Sequence, residues 1–206
     1  MSESLLEFFR AAGKLKTVAR QGWVDRGIPD AESVADHTFR AMVMAWVLGA
    51  RAGLDTNRLL KLMLLHDLPE AEAGDATPYG EVLASADDLA ASVPRWRDLV
   101  SPEQFAAAKR AKRAVEEQAA ERLAAMLPDV LGAELAELWL DYTERRSPEA
   151  RFAAQIDKLE AALQAIEYRD SGQEADVANF ILSAREVVEH PVLLELLAEI
   201  EAAARG

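Results

Sequence analysis

The sequence predicts an all-α protein. Alanine, leucine and glutamate, which favour helix, dominate its 206 residues, and no run of useful length alternates apolar and polar side chains as a strand would. The eight prolines fall mainly between segments of helical periodicity, where a helix can begin or end. Because a chain of this length can bury one substantial core, we expect a single domain over residues 1–206.

The individual helices follow from apolar periodicity and from the residues that start them. Ser33 and Asp36 have the spacing of a capping box, which starts the second helix. Pro102, Pro148 and Pro191 stand where later helices begin. The predicted helices span, to within a few residues, 3–19, 33–53, 55–72, 102–127, 129–146, 148–170, 174–187 and 191–204. The glycines and prolines of 74–101 predict one long irregular connection.

The composition argues against several classes of protein. No apolar stretch approaches the roughly 20 residues of a membrane helix, and the acidic N-terminus does not resemble a secretory signal, so we expect a cytoplasmic protein. The net charge of -13 argues against nucleic-acid binding, which depends on neutralising phosphates. Because the chain has no cysteine, histidine, aspartate and glutamate are its only strong metal ligands.

Two of the three histidines share faces with apolar residues. His37 lies on the same helix face as Ala41 and Met44, and His66 follows the stripe that leads to Glu70. A lone histidine of this kind is most simply a core residue with one hydrogen bond. Two such imidazoles favour a shared site.

Acidic residues cluster directly after His66. Asp67 would need a cation, a metal or strong donors if buried, because an unpaired buried carboxylate costs several kcal/mol. Glu70 and Asp75 follow, and the alternative for this cluster is an acidic helix end with a loop cap. Histidine nitrogen together with carboxylate oxygen suits a first-row divalent ion. Asp157 stands beside Lys158 in a mixed-charge pattern that by itself favours a solvated helix acid.

Four blocks of the sequence carry a family resemblance. They are Leu15-Lys16 with Arg20-Gln21-Gly22-Trp23-Val24-Asp25-Arg26, Glu32-Ser33-Val34-Ala35-Asp36-His37, His66-Asp67-Leu68-Pro69-Glu70 with Gly74-Asp75, and Gln155-Ile156-Asp157-Lys158-Leu159-Glu160. In this order they resemble the HD-domain phosphohydrolase superfamily and, most closely, its 5′-deoxynucleotidase branch, the family of YfbR and HD domain-containing protein 2. The likeness covers roughly residues 5–195. It implies a single helical HD domain that forms a homodimer.

The resemblance also implies roles for particular residues. The metal ligands would be His37, His66, Asp67 and Asp157, holding one divalent ion: manganese, cobalt, nickel, iron, magnesium or zinc. Glu70 would be catalytic, either activating water or protonating the leaving alkoxide, and Asp75 would support the site. Arg20 would bind the substrate phosphate.

Two further residues near these blocks have open roles. Trp23 either packs against the substrate sugar or is a packing residue, because two residues separate it from Arg20, whereas YfbR-type members have the tryptophan directly after the arginine. The third histidine, His190, precedes Pro191 and is interpreted as part of a helix start.

The expected function is therefore metal-dependent phosphate hydrolysis. The leading hypothesis is a 5′-deoxynucleotidase, which converts deoxynucleoside 5′-monophosphates into deoxynucleosides and phosphate. One alternative is an HD hydrolase of another nucleotide phosphoester, and the other is a helical ligand-sensing or dimerisation protein without turnover. The connection at 78–101 brings Tyr79 and Trp96 toward the expected site entrance, so we expect it to influence the choice of substrate.

Overall fold

A computed structural model describes residues 4–77 and 100–205 of the chain. Over these ranges the backbone forms ten helices and no strand, which confirms the all-α prediction. The helices are α1 (Leu5–Lys14), α2 (Gln21–Val24), α3 (Val34–Ala52), α4 (Thr56–Leu65), α5 (Glu70–Ala73), α6 (Pro102–Ala124), α7 (Asp129–Glu144), α8 (Pro148–Asp170), α9 (Val177–Val187) and α10 (Pro191–Ala204). Most of the predicted irregular connection, residues 78–99, lies outside the described ranges.

Several long helices begin at the capping residues and prolines that the sequence predicted. Ser33 accepts a hydrogen bond from the Asp36 amide, and Asp36 accepts one from the Ser33 amide, so the capping box of α3 is confirmed. Helices α8 and α10 begin and end where the sequence predicted. His190 caps α10, its Nδ1 accepting a hydrogen bond from an amide 3.3 Å away, which confirms the interpretation of that histidine.

Two predicted helices are too long. The helix predicted over 3–19 ends at Lys14, and the helix predicted over 55–72 ends at Leu65. In the second case Pro69 has no amide hydrogen to donate, so the chain makes a turn over residues 66–69 before α5 begins. The apolar stripe of α4 leads into this turn and concealed the break. The short helix α2 was not predicted.

Helix α8 forms the centre of the bundle. It packs against α3, α4, α7, α9 and α10, and its side chains Phe152, Ile156 and Leu159 are fully or almost fully buried. Burial of this kind contributes about 1.5–3 kcal/mol for each large apolar side chain. A second apolar cluster lies between α1, α5, α6 and α7. The turn at residues 66–69 therefore lies between two packed layers.

One face of α3 remains exposed. Phe39 and Trp46 are 71% and 61% exposed, and Val43 and Val47 lie beside them at helical spacing. Single exposed apolar residues are ordinary, but a stripe with two aromatic rings is typical of an interaction surface. Among the described residues, no helix combines the length and the apolar character that a membrane span requires.

Candidate metal centre

Three separate segments place the four predicted ligands. His37 lies in the first turn of α3, His66 and Asp67 lie in the turn after α4, and Asp157 lies in the middle of α8. Because α3 and α4 both pack on α8, the three segments are held by the apolar core rather than by loops. His37 is completely buried and His66 is 5% exposed, as their apolar stripes predicted.

The four side chains converge on one point. One ligand atom each from His37, His66 and Asp157 lies within 4.8 Å of the others. Asp67 Oδ2 is 3.1 Å from His66 Nε2 and 3.9 Å from His37 Nε2, and Asp157 Oδ1 is 3.3 Å from His37 Nε2. The sequence blocks that lie 30 to 120 residues apart thus form a single site.

The hydrogen bonds of the two imidazoles favour metal binding. His66 Nδ1 lies 2.7 Å from the Met63 carbonyl, which can only accept, so Nδ1 carries the proton and Nε2 offers a lone pair. His37 Nδ1 contacts Glu160 in the same way. Both Nε2 atoms are buried and make no hydrogen bond within the part of the chain that the structure describes. Two buried ring nitrogens without hydrogen bonds, beside two carboxylates, fit a divalent ion.

The carboxylates of the site are strongly ionised. Burial alone would raise the pKa of Asp67, but the neighbouring His66, Arg20 and His37 side chains outweigh it and hold the pKa well below its usual range. Burial would also raise the pKa of Asp157, but Lys158, His37 and Arg20 outweigh it and lower that pKa well below the usual value. The carboxylates of Asp67 and Asp157 are therefore both available as anionic ligands.

His37 has an unusually basic imidazole. Burial and the Arg20 charge lower its pKa, but the adjacent Asp157 and Glu160 carboxylates outweigh them and raise the pKa to about 9. At neutral pH such a basic ring carries a proton on both nitrogens, and a divalent ion would replace the proton on Nε2.

Glu70 lies beside the four ligands. Its side chain is 1% exposed, Oε1 accepts a hydrogen bond from Lys112 at 2.9 Å, and Oε2 makes no hydrogen bond within the described ranges. Burial and the neighbouring Asp67 charge raise the pKa of Glu70 well above its usual value, although Lys112 lowers it. A carboxyl group with a raised pKa and one free oxygen suits proton transfer.

Asp75 joins three segments of the site. Its Oδ2 accepts a hydrogen bond from the Gln21 amide at 2.8 Å, and its Oδ1 is 3.1 Å from Lys112 Nζ. Since both oxygens are occupied, Asp75 holds the start of α2 and the Lys112 ammonium near the ligands.

Arg20 lies directly over the carboxylates. An isolated antiparallel bridge between Ala19 and Ser33 fixes the segment that carries it. Its guanidinium is 3.0 Å from Asp67 Oδ2 and 3.6 Å from Asp157 Oδ1. This position puts a permanent cation at the edge of the predicted metal centre, where a phosphate would approach.

Trp23 is a packed residue at the cavity wall. It is 2% exposed, its ring stacks on Phe180 with centroids 4.2 Å apart, and its indole N–H donates to Glu32 at 2.9 Å. The ring nevertheless lines the cavity that contains the site. This geometry makes Trp23 part of a rigid wall, and a contact with substrate stays a prediction.

A cavity of about 220 Å³ opens onto these groups. It contains charges of both signs, which suits a bound ion together with an anionic substrate. Among the residues that line it are Arg20, Asp67, Glu70, Asp75, Lys112 and Asp157.

Two residues of the site, Lys112 and Glu160, were not predicted from the sequence. Lys112 lies in a basic cluster followed by glutamates, a pattern typical of a solvated helix face, yet it reaches Glu70 and Asp75 from α6. Glu160 stood in a mixed-charge pattern with Asp157, and that pattern pointed to solvent for both, although Glu160 is completely buried. The available signal was the spacing of three residues, which puts both carboxylates on neighbouring positions of one helix face.

Fold and site together define an all-helical protein with a buried histidine–aspartate centre suited to a divalent ion. The chain belongs to the HD-domain family, since residues 12–193 match the family model described as HD domain.

Relatives and a solved structure agree with this assignment. The human protein named 5′-deoxynucleotidase HDDC2 is 35% identical over 202 residues, which cover 98% of this chain and 86% of the human one. The Schizosaccharomyces pombe protein named 5′-deoxynucleotidase hdd1 is 28% identical over 93% of this chain and 86% of its own length. The structure of a conserved hypothetical protein from Pyrococcus furiosus superposes with a TM-score of 0.67 at 26% identity, covering 96% of this chain and 99% of that one.

Proposed function

We propose that this chain is a metal-dependent phosphohydrolase that acts as a 5′-deoxynucleotidase. The observation that carries the proposal is the pair of buried histidine Nε2 atoms, both without a hydrogen bond among the described residues, that face two ionised aspartates in a cavity with Arg20 and Glu70. The names of the human and S. pombe relatives support the choice of deoxynucleoside 5′-monophosphates as substrates.

The four ligands in this proposal are His37, His66, Asp67 and Asp157, and they hold one divalent ion. Such an ion supplies Lewis acidity: it lowers the pKa of water and offsets the negative charge that develops during phosphoryl transfer. The proposal leaves manganese, cobalt, nickel, iron, magnesium and zinc as candidates, because a His2Asp2 set accepts several of them.

The other groups of the site bind and orient the substrate. Arg20 presents its guanidinium fork to two phosphate oxygens, a geometry that a single ammonium cannot reproduce. Glu70 Oε2 is the proton carrier, and its raised pKa lets it take a proton from the attacking water or give one to the 5′-oxygen that leaves. Asp75 and Lys112 keep Glu70 in place. Trp23 bounds the cavity where the sugar would lie.

A phosphate-release screen tests the proposal. The enzyme is incubated with each ribo- and deoxynucleoside 5′-monophosphate and with several divalent ions in turn. We expect turnover of the deoxynucleotides that a chelator abolishes and that His66→Ala and Asp67→Ala remove. His190→Asn is the matched control, because it changes a histidine outside the site to another good helix cap and should keep full activity. Equal turnover by wild type and Asp67→Ala would contradict the proposal.

Cellular location and assembly complete the proposal. The sequence supports a cytoplasmic enzyme that binds a small nucleotide rather than nucleic acid or a membrane.

The family resemblance supports a homodimer, and the exposed stripe of α3 offers an apolar surface for it. Light scattering of the wild-type protein should give the mass of a dimer. If the stripe is the interface, Trp46→Glu should lower the mass to that of a monomer. The control is Val130→Glu, which changes an 81% exposed residue on α7 and should leave the mass unchanged. A wild-type monomer would refute the dimer.

A further inference from the structure

Helix α8 contacts both nitrogens of the His37 ring. Asp157 Oδ1 lies 3.3 Å from Nε2, and one turn later Glu160 Oε2 contacts Nδ1. The three-residue spacing puts the two carboxylates one above the other on the same helix face. A single helix therefore contributes a proposed metal ligand and also fixes the orientation of a second one.

Glu160 is itself held by a cation. Its side chain has no exposed surface, and its Oε1 accepts a hydrogen bond from Arg40 Nε at 2.9 Å and lies 2.7 Å from Arg40 Nη2 in an ion pair. A buried carboxylate without such a partner would cost several kcal/mol. With Arg40 on one oxygen and His37 on the other, Glu160 stays ionised and can only accept.

We infer that Glu160 is a positioning residue for the metal: it holds the Nδ1–H of His37 and thereby directs the Nε2 lone pair into the centre. The inference rests on the proposed metal site. A carboxylate behind a ligating imidazole fixes its tautomer and its orientation, and such partners typically change metal affinity by about 10–100-fold when they are removed.

A purely structural role is the competing explanation. Arg40 also binds Gln164 at 2.6 Å and contacts Glu167, so Glu160 could simply be one of three acceptors that tie α3 to α8. The two roles separate at Glu167. It shares Arg40 with Glu160, it lies on the same helix and is half exposed, and it makes no contact with His37.

The test compares Glu160→Gln with the matched control Glu167→Gln. The glutamine side chain keeps the size of Glu160, but its amide cannot accept from both His37 and Arg40, because one end now donates. Titration calorimetry with Mn²⁺ alone should give a Kd about 10–100-fold higher for Glu160→Gln and a Kd within twofold of wild type for Glu167→Gln. Equal Kd values for wild type and Glu160→Gln would overturn the inference, and so would an equal loss in both variants.

A second measurement needs no variant. Nitrogen-15 NMR of the Zn²⁺-loaded wild-type protein should show His37 with a proton on Nδ1 and the ion on Nε2. The opposite tautomer would overturn the inference even if Glu160→Gln fails to fold. Since both readouts report metal binding without substrate, a failed nucleotidase assay would refute the proposed function and leave this inference standing.

Discussion

Replacing Lys112 with methionine tests the charge environment of Glu70. Methionine keeps most of the length of the lysine stem and removes the ammonium that lies 2.9 Å from Glu70 Oε1. Because Lys112 lowers the pKa of Glu70, its removal should raise that pKa further. The sign is the same whether Glu70 acts as a base or as an acid.

The size of the effect follows from geometry and exposure. At 2.9 Å and an effective dielectric constant of about 20, the gross attraction is about 6 kcal/mol. Exposed pairs retain at most about 1 kcal/mol, whereas breaking a fully buried pair costs about 3–5 kcal/mol. Since Lys112 is 31% exposed and Glu70 is 1% exposed, we expect the loss of the pair to cost about 2 kcal/mol, between these two limits.

The assay is the pH dependence of kcat for a deoxynucleoside 5′-monophosphate. If Glu70 is the base, the acidic limb of the profile moves to higher pH; if it is the acid, the basic limb does. Arg113→Met is the control, because it removes a cation from the next position of α6 that pairs with Glu144 at the surface. A Lys112→Met profile that superposes on wild type would show that Lys112 does not tune Glu70.

Three further predictions concern binding and stability. Arg20→Lys should raise KM for the nucleotide about tenfold with a smaller change in kcat, because the guanidinium fork is lost; an unchanged KM would remove Arg20 from phosphate binding. Asp141→Asn should lower the free energy of unfolding by about 1.5–3 kcal/mol, since Asp141 accepts hydrogen bonds from Ser147 and Arg58. Burial raises the folded-state pKa of Asp141, but these partners outweigh it and lower that pKa. Chemical denaturation should therefore show the full loss of unfolding free energy above about pH 4 and a smaller loss as the pH falls further. A loss of unfolding free energy that persists at acid pH would contradict this account. Gly132→Ala should destabilise the fold by about 1–3 kcal/mol, because a Cβ there would lie 2.5 Å from the Ala124 carbonyl oxygen, whereas Gly13→Ala meets nothing within 4 Å and should raise the melting temperature.

Much of the fold could be predicted because local signals and tertiary packing agree. Helix α8 has a serine–proline start and an apolar stripe that the core uses, so its predicted bounds are those observed. The apolar faces of His37 and His66 likewise predicted their burial. In these cases the helix face that is apolar in the sequence is the face that the bundle buries.

The remaining features depend on contacts between distant segments. Asp157 and Glu160 are buried by α3 and by the Arg20 and Arg40 side chains, whereas the mixed charge around them in α8 is typical of solvated acids. Lys112 reaches Glu70 across 42 residues of sequence, so its basic surroundings in α6 were misleading. For Asp157 only the family resemblance supplied the ligand role that we now propose.

The end of α4 has a consequence for how the metal centre can vary. In a continuous helix, neighbouring side chains point about 100° apart and do not face each other. At the end of α4 two consecutive side chains nevertheless meet, with 3.1 Å between His66 Nε2 and Asp67 Oδ2. The four proposed ligands therefore belong to three anchored chain segments rather than four. A shift of α4 against α8 would move both ligands together, preserve their mutual geometry, and change only their distance from His37 and Asp157.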